Sequence, residues 1–521
     1  MSNRIRRRLM HSLMAISLAV LLFFGITACT TIPSPDQAEQ VTQHQVIETV
    51  FKNIEKRYAA AATIGNISIA GLKSLSKTDA LLSIGESREL IKLHYDNHLI
   101  GSWRKPQPND YDLWAALTSS ALTAGWAQSG KLRTEDRGGL LDRFFKAGLA
   151  KLDHYTRYEG PDKARNTRAR REGFGGLGVT IRHDEDKTFV RRVHEGTPAF
   201  NAGVLVGDQI THIDGKSLTA LSQRSVIGKL RGPIHSRADL TIIRNSSPSP
   251  LTVTLIRAHI ILPTVTSTLE DGVLNIIISG FNQGTSRSIG KILSETELSS
   301  GNVKGIILDL RGNPGGLLDQ AVAIADYFLN NGRIISTRGR HRRANQTFDA
   351  SWGERAPKLP IVILVNGLSA SAAEIVAVAM RDRSRAVIVG TSSYGKGSVQ
   401  TIVRLPNGGE LTLTWAYMIA PSGFNLQNHG VIPAICTSGS EDRLRAMMSS
   451  VKRDMGSGDP TLAAMLASRY AVRSDPTEAR KMCPPSKRER PEDTEIARYI
   501  LKHGEIYHKA LHDGAPAIAE R

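Results

Sequence analysis

The sequence predicts a multidomain chain of mixed α/β (α+β) class, with helical N- and C-terminal regions flanking a small β domain and a layered β/α core. Three observations carry this. From about residue 41 to 152, apolar residues recur at spacings of three and four, the helical period. From Gly173 the period drops to two, in short runs bounded by Gly, Asp and Pro. From Ile260 to Ile435, buried-type strands alternate with helical segments, as in α/β layers. At 521 residues the chain has room for about three or four domains, and no internal repeat is visible.

The N-terminus, MSNRIRRRLMHSLMAISLAVLLFFGITAC, sets Arg4, Arg6, Arg7 and Arg8 before an apolar run from Leu13 to Ala28. A basic head, a short apolar stretch and small residues describe a secretory signal over residues 1–28. The run falls short of the ~20 apolar residues of a membrane span. Ile26-Thr27-Ala28-Cys29 resembles the bacterial lipobox, which implies cleavage before Cys29 and lipid on its sulfur. Thr30, rather than Asp, follows the cysteine, and by the same resemblance favours the outer membrane. The expected location is periplasmic, held to a membrane by lipid; the competing reading is an uncleaved anchor with a chance cysteine. Residues 29–40, with Pro33 and Pro35, read as a tether. Of the 3 cysteines, Cys436 and Cys483 then remain. In an exported chain they are compatible with one disulfide, or with two buried thiols.

There are 67 basic and 49 acidic residues, a net charge of +18. Such an excess favours anionic partners. An exported chain meets no genome, however, and no aromatic–basic interleaving of the RNA-binding kind is present. Nucleic acid is therefore excluded in favour of lipid headgroups or acidic envelope polymer.

In the N-terminal region, residues 41–152, the helical runs are VIETVFKNIEKRYAAAA, DYDLWAALTSSALTAGWAQ and RGGLLDRFFKAGLAKL, with HLIGSWRKPQPND between them as a loop. Residues 153–171 are polar and basic. Five strand-like runs follow (LGVTIR, TFVRRV, DQITHID, ADLTIIR, LTVTLIR), interrupted by the helix-like LSQRSVIGKL, and form a domain over residues 172–258. The core spans 259–435, with part of 153–171. Beyond it, residues 436–521 are helical: SEDRLRAMMSSVKRDM, TLAAMLASRYA and DTEIARYILKHGEIYHKALH.

Gly173-Phe174-Gly175-Gly176-Leu177-Gly178 matches the Gly-x-Gly-x-x-Gly dinucleotide fingerprint, which must follow a strand and open a helix. Here the preceding NTRARRE cannot be a buried strand and the following VTIRHD reads as one, so the match fails. The same glycines resemble the carboxylate-binding loop of PDZ domains. That resemblance implies that Gly176, Leu177, Gly178 and Val179 grip a peptide's terminal carboxylate while the peptide adds as a strand. EGTPAFNAGVLVGDQITHIDG, residues 195–215, resembles the PDZ segment of bacterial proteases.

Three segments carry chemistry. LDLRGNPGGLLDQA, residues 308–321, runs strand, turn, helix; no Gly-Lys-Ser/Thr follows, so it is not a phosphate loop. Gly315 and Gly316 let backbone N–H groups face an oxyanion. NGLSASAAEIVAVAM, residues 366–380, sets Ser369 and Ser371 where a strand turns into a helix, whose first-turn donors are unpaired. The Ala372 N–H can join the glycines. Ser369 fits a capping role, which leaves Ser371 for nucleophilic chemistry. SYGKGSVQTIVRL, residues 393–405, supplies Lys396, a base once burial lowers its pKa. Gln400, at even spacing along a strand, is expected on the lysine's face, orienting its nitrogen without adding charge.

LDLRGNPGG, SASAAEI and YGKGSVQ resemble, in order and spacing, the core motifs of the carboxy-terminal processing proteases, over residues 150 to 435. The resemblance implies Ser371 as nucleophile, Lys396 as base and Gln400 as assistant. It also implies a PDZ domain inserted before a core like those of crotonase and Clp protease, and cleavage near unstructured, apolar C-termini of proteins. No metal and no cofactor is implied. An adaptor protein and self-association stay open. The family commonly shows Asp-Pro-His-Ser before the PDZ domain; here residues 153–158 read DHYTRY. The alternatives are a catalytically silent PDZ scaffold, a crotonase-like acyl-CoA enzyme and a triad based on His429.

Overall fold

The structure is a computed structural model that describes residues 43–439 and 476–514, apart from 135, 297, 299, 300, 352 and 357. The signal segment, Cys29, the tether and the helical runs expected at 440–455 and 461–471 lie outside the described residues.

A six-stranded sheet forms the centre, in the order Val265–Glu270, Val273–Ile278, Gly305–Asp309, Ile361–Val365, Val387–Gly390 and Ile435–Cys436. The first pair is antiparallel and every later pair is parallel. Parallel strands are usually covered on both faces, and here the alternation can be read residue by residue. Ile306, Leu308, Ile361 and Ile363 face the helices Thr285–Glu295, Leu318–Asp326 and Ala372–Asp382. Ile307, Val362, Leu364 and Val389 face the other way, onto Ile496, Ile500 and Leu501 of the helix Pro491–Lys502 and Tyr507 of the helix Gly504–Gly514. The C-terminal extension thus closes the second face of the central sheet.

A second sheet runs Gln346–Asp349, Arg333–Arg338, Glu410–Ile419, Ser398–Arg404, with Arg157–Glu159 paired to Glu410–Ile419. The N-terminal region packs on its hairpin: Phe51, Ile54, Trp114, Phe144 and Phe145 share one core with Leu405, Leu411 and Leu413.

The N-terminal region is not helical throughout. Leu82–Glu86, Leu90–Tyr95 and His98–Arg104 form a three-stranded antiparallel sheet, so the first half of the expected loop HLIGSWRKPQPND is a strand. The missed signal is Asp96-Asn97. Both have positive φ, +48° and +63°, the geometry of a two-residue hairpin turn.

The polar stretch after residue 153 becomes the helix Pro161–Glu172, with Pro at its first turn. Arg168 and Arg171 pin it to the core hairpin through the buried Glu410, at 3.0 and 3.1 Å. The small β domain expected at 172–258 follows as a sheet ordered Leu251–Ile256, Arg237–Ile243, Gln209–Ile213, Lys187–Val193, Val179–Asp184, with the helix Gln223–Leu230. All five expected strands and the helix are present.

Ile500 is buried against the underside of the central sheet. Ile500→Ala is expected to cost about 2–5 kcal/mol of stability, because it leaves a cavity the sheet cannot fill. Urea unfolding of the variant beside the parent protein checks this.

Candidate active site

Ser371 sits between the strand Ile361–Val365 and the helix Ala372–Asp382, with φ 56° and ψ −113°. A positive φ is uncommon for a residue with a side chain and costs about 1–3 kcal/mol, so surrounding bonds must hold it. One is its own N–H, which donates to Glu374 Oε2 at 2.7 Å. Another is the neighbouring Ala370 N–H, which donates to Asn313 O at 2.9 Å. Ser371, not Ser369, occupies the helix cap position. Ser369 is wholly buried, donates to Leu310 O at 2.8 Å and accepts from Asn366 N at 2.9 Å. Its hydroxyl fastens the turn and is committed at both ends.

The glycine loop lies against this turn. A side chain on Gly315, φ +98°, would begin 2.8 Å from Ser371 Cβ and 3.0 Å from Ala372 N. Only glycine allows so close an approach at that φ. Gly315 cannot supply the expected oxyanion donor, however, because its N–H already donates to Asn313 Oδ1 at 2.8 Å. Among the described residues the N–H groups of Gly316 and Ala372 have no partner. These two remain as donors; Gly315 supplies space.

Lys396 lies in the loop before the strand Ser398–Arg404. The wholly buried Glu374 carboxylate joins this loop to the serine turn. Oε1 accepts from Gly395 N at 2.7 Å and from the Ser393 hydroxyl; Oε2 accepts from Lys396 N at 2.9 Å and from Ser371 N. Lys396 Nζ rests over the Tyr155 ring, 5.0 Å from its centre. Among the described residues no hydrogen bond links Nζ to Ser371.

Residues 272–437 match peptidase family S41, and residues 175–255 match the PDZ domain. The carboxy-terminal-processing protease of Bartonella bacilliformis is 39% identical over 299 residues, 57% of this chain and 69% of that protein. The corresponding protease of Synechocystis sp. is 33% identical over 294 residues, 55% of this chain and 68% of its own length. The chain belongs to the carboxy-terminal-processing protease family. It is a serine-type peptidase, with a PDZ domain ahead of its S41 core.

In this protease Gln400 does not reach Lys396. Its amide donates to Ser398 Oγ at 3.0 Å and Thr414 Oγ1 at 3.3 Å. The parity argument fails because Lys396 precedes the strand and the register shifts between Val399 and Gln400. His429 accompanies neither residue; its Nδ1 pairs with Asn425 O at 3.2 Å. Cys436 and Cys483 are joined by a disulfide, 2.08 Å between sulfurs.

In the PDZ domain Val179–Asp184 is the edge strand, open to an added peptide strand. Leu177 and Gly178 use their carbonyls internally, accepting from Ala199 N and His194 N at 2.9 Å each. Their N–H groups have no partner among the described residues. Gly178 is required for a reason internal to the domain: at φ +84°, a side chain would begin 2.2 Å from Thr197 Cβ.

Glu374, Asn313 and Tyr155 were missed in the sequence. The Ser-x-x-Glu spacing of Ser371 and Glu374 is a capping-box signal that pointed to the first. Tyr155 is placed by Asp153, whose Oδ1 accepts from Tyr155 N at 2.6 Å and Thr156 N at 2.8 Å. No local pattern announces that such a turn covers Lys396.

Burial lowers the Lys396 pKa to about 8, and the nearby charge of Arg157 pushes the same way; Glu374 and Asp153 oppose. If neutral Lys396 is the working form, activity rises with pH through about 8. Removing Arg157 takes away a like charge, so Arg157→Ala is expected to move the midpoint to higher pH. Initial rates on a peptide substrate from about pH 5 to 10 check both outcomes.

Proposed function

We propose that this protease cleaves near the C-termini of exported proteins through a Ser371–Lys396 pair. The observation that supports it best is the Glu374 carboxylate, which accepts the backbone N–H groups of both residues. Ser371 Oγ attacks the scissile carbonyl while neutral Lys396 takes its proton. The oxyanion is held by the N–H groups of Gly316 and Ala372. Lys396, now an ammonium, protonates the leaving amine and then draws a proton from the water that hydrolyses the acyl-enzyme. The lysine leaves the Tyr155 ring to complete the pair; apo geometry is commonly looser than the reacting complex.

The tail enters beside the edge strand Val179–Asp184. Its carboxylate meets the N–H groups of Leu177 and Gly178, and Gly176 and Val179 flank them. Gln400 acts at a distance, through Ser398 and Thr414. The enzyme works in the periplasm, tethered by lipid on Cys29, with the outer membrane favoured. Support for the location is the N-terminal pattern alone.

A fluorophosphonate probe tests the chemistry. It is expected to label the parent protein at Ser371 and not Ser371→Ala, while Ser369→Ala still folds and keeps part of its activity. Lys396→Ala should lose roughly 10⁴-fold or more, as paired residues act as a unit, and Lys396→Arg should be equally dead because guanidinium stays protonated. Labelling in Ser371→Ala, or activity in Lys396→Arg, would overturn the assignment. The free-acid form of a tail peptide should bind more tightly than its amide.

Membrane fractionation with N-terminal mass analysis tests the anchor. The parent protein should sediment with membranes carrying acyl mass on Cys29, and Cys29→Ser should be released or keep its signal. Unacylated soluble parent protein would rule the anchor out.

A further inference from the structure

Arg480 belongs to the short helix Pro476–Met482, beyond the residues that match family S41. Its Nη1 donates to Ser393 O at 2.8 Å and His429 O at 2.7 Å, and its Nη2 to Tyr394 O at 3.0 Å. Tyr394 O and Gly395 N belong to one peptide unit. That unit is therefore held at its carbonyl by a guanidinium and at its N–H by the Glu374 carboxylate, 2.7 Å away. Cation at the oxygen and anion at the N–H is the favourable orientation of the peptide dipole, and both bonds are charge-assisted. The next N–H is that of Lys396, also on Glu374. Gly395, φ +92°, would otherwise be a swivel immediately before the lysine.

The same guanidinium ties in the loop on the other flank. His429 O is its third acceptor, and the adjoining Asn428 N–H donates to Gly395 O at 2.9 Å. The segment carrying Arg480 is itself fastened. Cys483 is bonded to Cys436. Ser486 O accepts from Gly367 N at 2.7 Å, in the turn that holds Ser371, and Ser486 N donates to Thr391 Oγ1 at 3.1 Å. One strap of the C-terminal extension thus touches both the serine turn and the lysine loop.

We propose that Arg480 is a positioning residue for Lys396, and that residues 480–486 form a strap setting the reach of the lysine toward Ser371. This deepens the Ser371–Lys396 reading and rests on it. Loss of Arg480 leaves the peptide before Lys396 held from one side only, so the chemical step suffers while the PDZ groove and substrate binding do not.

The test uses the whole enzyme and a free-acid peptide substrate. Reactive sites are counted by exhaustive fluorophosphonate labelling, and kcat is expressed per labelled site, which removes any misfolded fraction. Arg480→Ala is expected to lower kcat roughly 10- to 100-fold, the size of effect of about an ångström of misplacement, with KM changed less than about twofold. Added guanidinium at low millimolar concentration should raise the variant's kcat and not the parent's. Glu478→Ala, on the exposed face of the same helix, should match the parent. Should Arg480→Ala fail to fold, Arg480→Lys carries the test, with a smaller loss in kcat expected. An unchanged kcat per labelled site in the variant read, or a loss confined to KM, would overturn the strap. Absence of labelling at Ser371 in the parent would instead remove the Ser–Lys reading beneath it.

Discussion

The Glu374 carboxylate is wholly buried and accepts from four donors, two on each oxygen. Burial pushes its pKa up, and the four donors push it back. An isolated carboxylate at this depth would neutralise, and four donors without it would each cost about 1–3 kcal/mol. Each group is thus tolerable only because the others are there. Three of the donors are backbone N–H groups of Ser371, Gly395 and Lys396, so the arrangement fixes chain paths and not just side chains. It also helps explain how Ser371 persists at positive φ, since its N–H is held from within the helix it caps.

Around this point the sheet is supported from both faces. The helix Ala372–Asp382 packs on one face and the helices after Pro491 on the other. Arg311 joins the two regions. It pairs with Asp309 at 2.6 Å and donates to Arg490 O at 2.6 Å, where the last helices begin. The glycine loop is therefore tied to the C-terminal extension at one end, as the lysine loop is through Arg480 at the other. The extension is part of the frame that holds both loops.

The PDZ domain is connected to this framework through the helix Pro161–Glu172, gripped by Glu410. The turn before that helix carries Tyr155, which covers Lys396. The PDZ domain and Lys396 therefore lie on either side of one short stretch of chain. Asp153 also accepts from Thr414 Oγ1 at 3.2 Å, the same hydroxyl that Gln400 contacts. Gln400 is thus linked to the covering turn through the Thr414 hydroxyl, and not to the lysine itself.

Local pattern was sufficient for much of this protein. Alternating and helical periods located the PDZ strands, the core strands and the final helices, because burial on a face leaves its period in the chain. Ser371, Lys396 and the glycine loop were legible as residue types at turns, with one boundary error: the even spacing that linked Gln400 to Lys396 assumed an unbroken strand, and a register shift broke it. The N-terminal sheet was obscured by strong helical runs on both sides, although Asp96-Asn97 marked its turn. What only the tertiary structure decided is who shares a donor. Whether Glu374 reaches the lysine loop and whether Arg480 clamps its far side depend on chain segments brought together across long stretches of sequence, whereas the Gly315 N–H is taken locally, by Asn313 two residues before it. Hydrogen bonds of that kind leave no period in the sequence, since a backbone donor is the same in every residue but proline.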